Sequence, residues 1–277
     1  WHMEAGSDVD CDAPEAWNIE RGAGVIAILD DGMDMGHPEL APKVVASHDM
    51  VDGDNNPTPL PWDGHGTACA GIAAARTNNN AGIAGVSWNG GLMPVRVAYK
   101  STALDQHWTT TDNWLAGGIA WAYQNGADVL SNSWGGGSPS EQITAAINAA
   151  SLNGRGGLGS VVVFAAGNDD QSTVSYPAIV ENAIAVAATD QNDSRANFSN
   201  YGTGVDLAAP GVDLPATDIR GAAGYEPGDY LPDFSGTSAA CPVVAGLASL
   251  VIGKYPVYTA DEVRARTTLH SHSDGKG

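Results

Sequence analysis

A doubly wound α/β fold, three layers with a mostly parallel sheet and helices on both faces, is predicted by three observations. Short apolar, β-leaning runs recur along the chain, helix-like stretches separate them, and polar clusters fall where the runs end. The first run, GVIAILDDG at 24–32, has the pattern of a buried parallel strand closed by an acidic-glycine turn. Further runs follow at 91–99, 128–136, 160–168 and 182–190. Helix-like stretches occupy 65–75, 114–126, 140–154 and the long segment 238–254. In such sheets function gathers at the carboxyl ends of the strands.

Composition agrees with a compact globule. The 277 residues are 43% hydrophobic and include 35 glycines, which excludes disordered and fibrous classes. No repeat or long linker divides the chain, so 1–277 is expected to be one domain. The longest apolar stretch, 239–252, carries Gly246 and Ser249 and is shorter than a bilayer span, so it is expected to be a buried helix and no membrane span is predicted. Twelve Lys and Arg against 32 Asp and Glu give a formal charge of −20. That field repels nucleic acid and suits cationic partners such as Ca²⁺ or basic peptides, or serves as a solubilising coat. Trp1, His2 and Met3 look like a cloning remnant, no signal peptide follows them, and the last residues lack a closing element. The expectation is therefore a catalytic or binding domain cut from a longer precursor.

Three residues carry candidate chemistry. Ser238, in GTSAACPVVAG, opens an apolar helix, which puts its hydroxyl at the positive end of the helix dipole and suits a nucleophile passing through an anion. An ordinary N-cap serine would look the same. His65, in WDGHGTACAG, can offer one ring nitrogen to a serine while the other donates to a carboxylate. Asp30 leaves a buried strand and needs such a partner. Asp, His and Ser in this order, each framed by glycine, match the subtilisin arrangement of a triad.

The segments LDDGMDMGHPEL, DGHGTACAG, SNSWGG, AAGN and GTSAACPVVAG together resemble the signature segments of the subtilisin-like serine proteases, the subtilases. This resemblance implies the subtilisin-like fold and a serine endopeptidase in which Asp30 orients His65, His65 deprotonates Ser238, and Asn168 supplies an oxyanion donor. It implies that substrate lies as an added strand on Ser133, Trp134, Gly135 and Gly136, with Ala165, Ala166 and Gly167 as the other wall of the P1 pocket and Ser175 at its base. The doublet Asp30-Asp31 resembles the kexin- and furin-like processing branch, and Asp63 lies two residues before His65. Carboxylates at 31 and 63 would favour Lys or Arg at P2, unless Asp63 is one more acidic loop residue. The resemblance also implies peptide or protein substrates, basic ones included, a propeptide partner, and a secreted or periplasmic location.

Two structural calcium sites are expected. The loop 47–59 places Asp49, Asp52, Asp54 and Asn56 around Gly53, alternating oxygen ligands of the kind Ca²⁺ takes, though not at EF-hand spacing. By resemblance, RTNNNAGI at 76–83 forms a second site through Arg76, Asn79, Ala81 and Ile83, with Glu39 in the position usually held by Asp and one of Asp8, Asp10 or Asp12 completing it. Zinc is not expected, since no His/Cys cluster shows ligand spacing. Cys11, Cys69 and Cys241 cannot all pair; Cys69 and Cys241 are expected as buried thiols on the two catalytic helices, or as a bridge if those helices touch. A thiol under His65 resembles the thiol-containing subtilases, whose activity would be mercurial-sensitive. A peptide ligase or macrocyclase, and a non-catalytic module keeping the fold, remain the alternatives to hydrolysis.

Overall fold

The structure is a computed structural model that describes residues 2–3, 10–105 and 107–268. The elements run in order α1 (Ala13–Ala16), β1 (Val25–Asp30), β2 (His48–Asp49), α2 (His65–Ala74), β3 (Gly91–Arg96), α3 (Asp112–Gln124), β4 (Val129–Asn132), α4 (Glu141–Gly157), β5 (Val161–Ala165), β6 (Ala183–Thr189), β7 (Leu207–Pro210), β8 (Leu214–Thr217), β9 (Tyr230–Phe234), α5 (Thr237–Lys254) and α6 (Ala260–Thr268). Seven strands form one sheet in the order β2-β3-β1-β4-β5-β6-β7, with every pairing parallel. A separate antiparallel hairpin, β8–β9, precedes α5.

Successive side chains of a strand face opposite sides, and β1 shows the consequence. Ile26 and Ile28 join a core with α2, α5 and α6, whereas Ala27 and Leu29 join a second core with α3 and α4. Burial on both faces explains why the strand sequences read as apolar runs rather than as alternations. The long apolar stretch is the core helix α5, which packs against α2 and strands β4 to β7 and is 72% buried. A side chain at Gly246 would collide with Val86, its Cβ falling 2.6 Å from that residue's Cβ, so glycine lets α5 approach the segment behind α2.

The five strands and four helices expected from the sequence all form, with their ends shifted by a few residues. Four strands and two helices were not anticipated: β2, β7, β8 and β9, and the short helices α1 and α6. Helix α4 runs past its expected end, but its backbone leaves helical geometry at Gly154, Arg155 and Gly156.

Candidate active site

Asp30 ends β1, His65 opens α2 and Ser238 is the second residue of α5, so three elements from one end of the sheet converge. Glycine makes the approach of α2 to β1 feasible: a Cβ on Gly66 would lie 2.1 Å from the Gly32 carbonyl and 2.8 Å from Asp30 Cβ. His65 Nδ1 donates to Asp30 Oδ1 at 2.8 Å, with Asp30 fully buried and the imidazole 15% exposed. A carboxylate only accepts, so this bond fixes the proton on Nδ1 and turns the Nε2 lone pair outward whenever the ring is neutral. Burial alone would lower the imidazole; the Asp30 charge and the Cys69 sulfur outweigh it and hold His65 well above its ordinary value.

Ser238 does not cap its helix. Gly236, at φ 142°, holds the cap position, and the Ser238 hydroxyl donates to the Ser133 carbonyl at 3.0 Å. Pro242 lies inside α5, four residues after Ser238. Having no N–H, it leaves the Ser238 carbonyl without its helical donor four residues on. That carbonyl instead accepts Ser133 Oγ at 3.0 Å and the Cys69 thiol at 3.4 Å. Cys69 thus ties α2 to α5 behind the serine, with its sulfur 3.9 Å from His65 Nδ1. All three cysteines are free, so the Cys69–Cys241 bridge does not form; Cys241 lies against Ser131 Oγ at 3.6 Å. Among the described residues, Asp30, His65 and Cys69 do place ligand atoms within 4.8 Å of one another, a cluster that the sequence spacing did not disclose.

Asn168 follows β5 and is exposed. Its Oδ1 accepts both the Thr237 N–H and the Thr237 hydroxyl at 2.9 Å, which leaves Nδ2 as the amide's free donor. A methyl group built on Gly236 would lie 3.7 Å from that nitrogen and 3.7 Å from Ser238 Cβ, so donor and serine flank the same space.

The expected groove residues divide into rim and floor. Gly135 and Gly136 are exposed, with Gly136 N–H fixed to the Tyr176 carbonyl at 2.7 Å. Ser133 is buried against Ser238, and the Trp134 indole turns inward, donating to the Leu29 carbonyl at 3.0 Å and meeting Phe164 edge-on. Ala165 and Ala166 are buried, Gly167 is half-buried, and Ser175 Oγ accepts from Asn200 Nδ2 at 3.2 Å, so serine there has a partner of its own. A cavity of about 320 Å³ bordered by Ala23, Asp128, Arg155 and Pro256 lies at the opposite strand ends, away from this open groove.

Asp31 and Asp63 are both fully buried. Asp31 accepts the Gly66 N–H at 2.8 Å, and Asp63 accepts Lys100 N–H at 3.2 Å. Burial and the neighbouring Asp30 charge push Asp31 well up; burial raises Asp63 to about 6, although the Lys100 N–H and charge draw it down. Neither carboxylate is presented to solvent, so their burial lends no support to charge pairing with a basic P2 residue.

The calcium expectations also separate. Arg96, in register with Asp30 on the neighbouring strand, places Nη1 3.0 Å from Asp49 Oδ2 and 3.0 Å from Asp52 Oδ2. Asp49 Oδ1 already accepts Val51 and Asp52 N–H groups, and Asp54 Oδ1 caps Asn56 N–H. The guanidinium occupies Asp49 Oδ2 and Asp52 Oδ2, so Ca²⁺ between Asp49 and Asp52 would have to compete with Arg96 for both carboxylates. At the second loop, Glu39 is fully buried and its Oε1 accepts Tyr230 OH at 3.1 Å and Asn79 Nδ2 at 3.3 Å, while Oε2 has no partner. An orphaned buried carboxylate oxygen is what a divalent cation satisfies, so this loop does fit. Asp8 lies outside the described residues.

The family model for subtilases, peptidase family S8, matches residues 22–276. Thermitase of Thermoactinomyces vulgaris is 46% identical over 240 residues, 86% of this chain and 78% of that protein. A calcium-dependent protease of Trichormus variabilis is 34% identical over 95% of this chain, which spans about half of that longer relative, 45% of its length. Among solved structures, a protease from Pseudoalteromonas arctica superposes with a TM-score of 0.84 at 32% identity, over 96% of this chain and 88% of that one. These relatives are of the thermitase and subtilisin type, so the processing-branch resemblance drawn from Asp30-Asp31 gains no support from them. Sequence match, sheet order and the Asp30–His65 contact agree, and the chain belongs to the subtilase family as a subtilisin-like serine protease.

Proposed function

We propose that the chain is one catalytic domain that cleaves peptide bonds through an acyl-enzyme, with Ser238 as nucleophile, His65 as base and Asp30 as its orienting partner. The observation that carries this is the 2.8 Å bond from His65 Nδ1 to a wholly buried carboxylate, beside a serine on an adjoining helix. Ser238 Oγ swings from the Ser133 carbonyl to His65 Nε2, loses its proton there and adds to the scissile carbonyl. Asn168 Nδ2 and the Ser238 N–H receive the oxyanion, His65 returns the proton to the leaving amine, and water then clears the acyl group by the same route. Substrate backbone aligns with the Gly135–Gly136 rim, and P1 enters between that rim and Gly167.

The orphaned Glu39 oxygen supports a structural Ca²⁺ held by Glu39 with Asn79 and the Arg76, Ala81 and Ile83 carbonyls. Bound there, the ion would neutralise a buried charge far from the reacting atoms. Protein substrates, a propeptide and a secreted or periplasmic setting accord with this reading. A basic P2 preference is its least supported extension, because Asp31 and Asp63 are fully buried and each accepts a backbone N–H group.

Incubation with a fluorophosphonate, followed by mapping of the labelled peptide, tests the assignment. Modification at Ser238, absent in Ser238→Ala, is the expected result. A chain that is folded yet unlabelled would be a scaffold, and cyclic rather than linear product from a test peptide would make it a ligase.

A further inference from the structure

Between β3 and α3 the chain makes an excursion, 100–108, closed at its neck by backbone bonds between Tyr99 and Thr109 of 2.7 and 3.2 Å. It is stapled to the segment before His65 from two sides. Trp62 Nε1 donates to the Lys100 carbonyl at 2.9 Å, and the buried Asp63 carboxylate accepts the Lys100 N–H. The excursion's described residues are otherwise largely exposed, but the last, Trp108, is half-buried. Its ring meets His65 edge-on, with centroids 5.4 Å apart and planes at 83°. Phe234, at the end of β9, meets the same imidazole with centroids 5.6 Å apart and planes at 69°. Two aromatic rings from separate segments therefore contact the histidine.

Sheet order decides which ring faces which part of a substrate. The strand ends line up as β3, β1, β4 and β5. P1 enters between the ends of β4 and β5, and alternate side chains of an extended peptide point opposite ways. The side chain before P1 therefore points toward the ends of β1 and β3, over His65 and against Trp108. Phe234 leads directly into Gly236 and Ser238 and so belongs to the leaving-group side.

Building on the protease reading above, we propose that Trp108 is the specificity-determining wall of the P2 subsite and that the enzyme selects small, uncharged P2 side chains. An indole that stands next to the closed neck of the excursion and meets the imidazole edge-on narrows the space above it. The carboxylates that would have drawn a basic P2 residue are turned into the protein beneath it. Trp108 meets His65 only through ring edges and carries no proton of the reaction, so its removal affects binding of the acyl half more than the fate of the proton.

The test uses peptides of fixed P1 with Gly, Ala, Pro, Leu, Phe or Arg at P2, cut by the wild type, Trp108→Ala and Trp108→Phe. The wild type is expected to cut small-P2 peptides at least about tenfold faster in kcat/KM than those with Leu, Phe or Arg, a span that one or two apolar groups can supply. In Trp108→Ala the preference flattens, mainly through KM, and Trp108→Phe falls between. Unchanged P2 ranking in Trp108→Ala, or a wild-type preference for Arg, overturns the proposal. Fluorophosphonate labelling of Ser238 is run in parallel on all three proteins. Labelling with unchanged P2 ranking rejects the wall alone; absence of labelling in the folded wild type rejects the protease reading and the wall with it.

Discussion

Two groups of aspartates lie close together near the ends of β1 and β3, and they are neutralised very differently. Asp49 and Asp52 share the guanidinium of Arg96, one cation held 3.0 Å from each. Asp30, Asp31 and Asp63 are all fully buried. The imidazole of His65 is the cation available to Asp30 and Asp31, the Lys100 N–H and charge act on Asp63, and both Asp30 and Asp31 keep an oxygen without a partner. A permanently charged partner fixes structure, whereas an imidazole that gains and loses a proton converts buried negative charge into a tunable base. The comparison separates an acidic cluster built for the fold from one built for chemistry, although sequence shows only aspartates in both.

Asp30→Asn should sharpen the contrast most. It keeps the shape but takes away the charge and the tautomer control, so kcat is expected to fall about 10⁴-fold, with circular dichroism unchanged. Arg96→Met should do the reverse. It leaves the buried Asp49 uncompensated, a loss of about 3–5 kcal/mol, which a thermal melt reads while kcat/KM below the melting range stays near wild type. A large loss of activity in the folded Arg96→Met protein would break the distinction.

Calcium removal comes next in size. EDTA should lower the melting temperature of the wild type, and Glu39→Gln should lose most of that response, because the orphaned oxygen is then no longer charged. The Asp63 effect is smallest. Its pKa rises on folding from 3.8 to about 6. The folded state therefore binds the proton more tightly, and stability declines as pH rises through that window. Asp63→Asn is expected to recover about 1–2 kcal/mol at pH 8 relative to pH 4, read from urea melts at both. An equal response at the two pH values would contradict the burial argument.

The sequence made the central strands legible because burial on both sheet faces turns them into continuous apolar runs. It hid β2, with two residues, and β7 to β9, which are short and in which Pro210, Pro215 and Pro232 interrupt the pattern. Helix α6 was readable in principle, since Thr259 and Glu262 form a capping box, with the Thr259 N–H bound to Glu262 Oε2 at 2.8 Å and the Glu262 N–H returning to Thr259 Oγ1 at 3.3 Å. The site was legible wherever a chemical residue stood within two positions of a glycine at an element end, as Asp30, His65 and Ser238 do. Partners set by strand register or loop excursion were not. Nothing local to Asp49 announces Arg96, 47 residues away, and nothing local to His65 announces Trp108. The thiol contact of Cys69 depended on a carbonyl that Pro242 frees, an effect that needs the helix pair to be seen together.

The pH dependence of Ser238 acylation tests the central claim most directly. Burial works against protonation of His65, but the Asp30 carboxylate prevails and lifts its pKa above 6.5. The base is therefore lost as pH falls through that raised value and gained above it. The rate of fluorophosphonate labelling at Ser238 should follow one ionisation with a midpoint above 6.5, and should collapse in His65→Ala. Labelling that is independent of pH, or that persists at the wild-type rate in folded His65→Ala, would show that His65 is not the base and contradict the account.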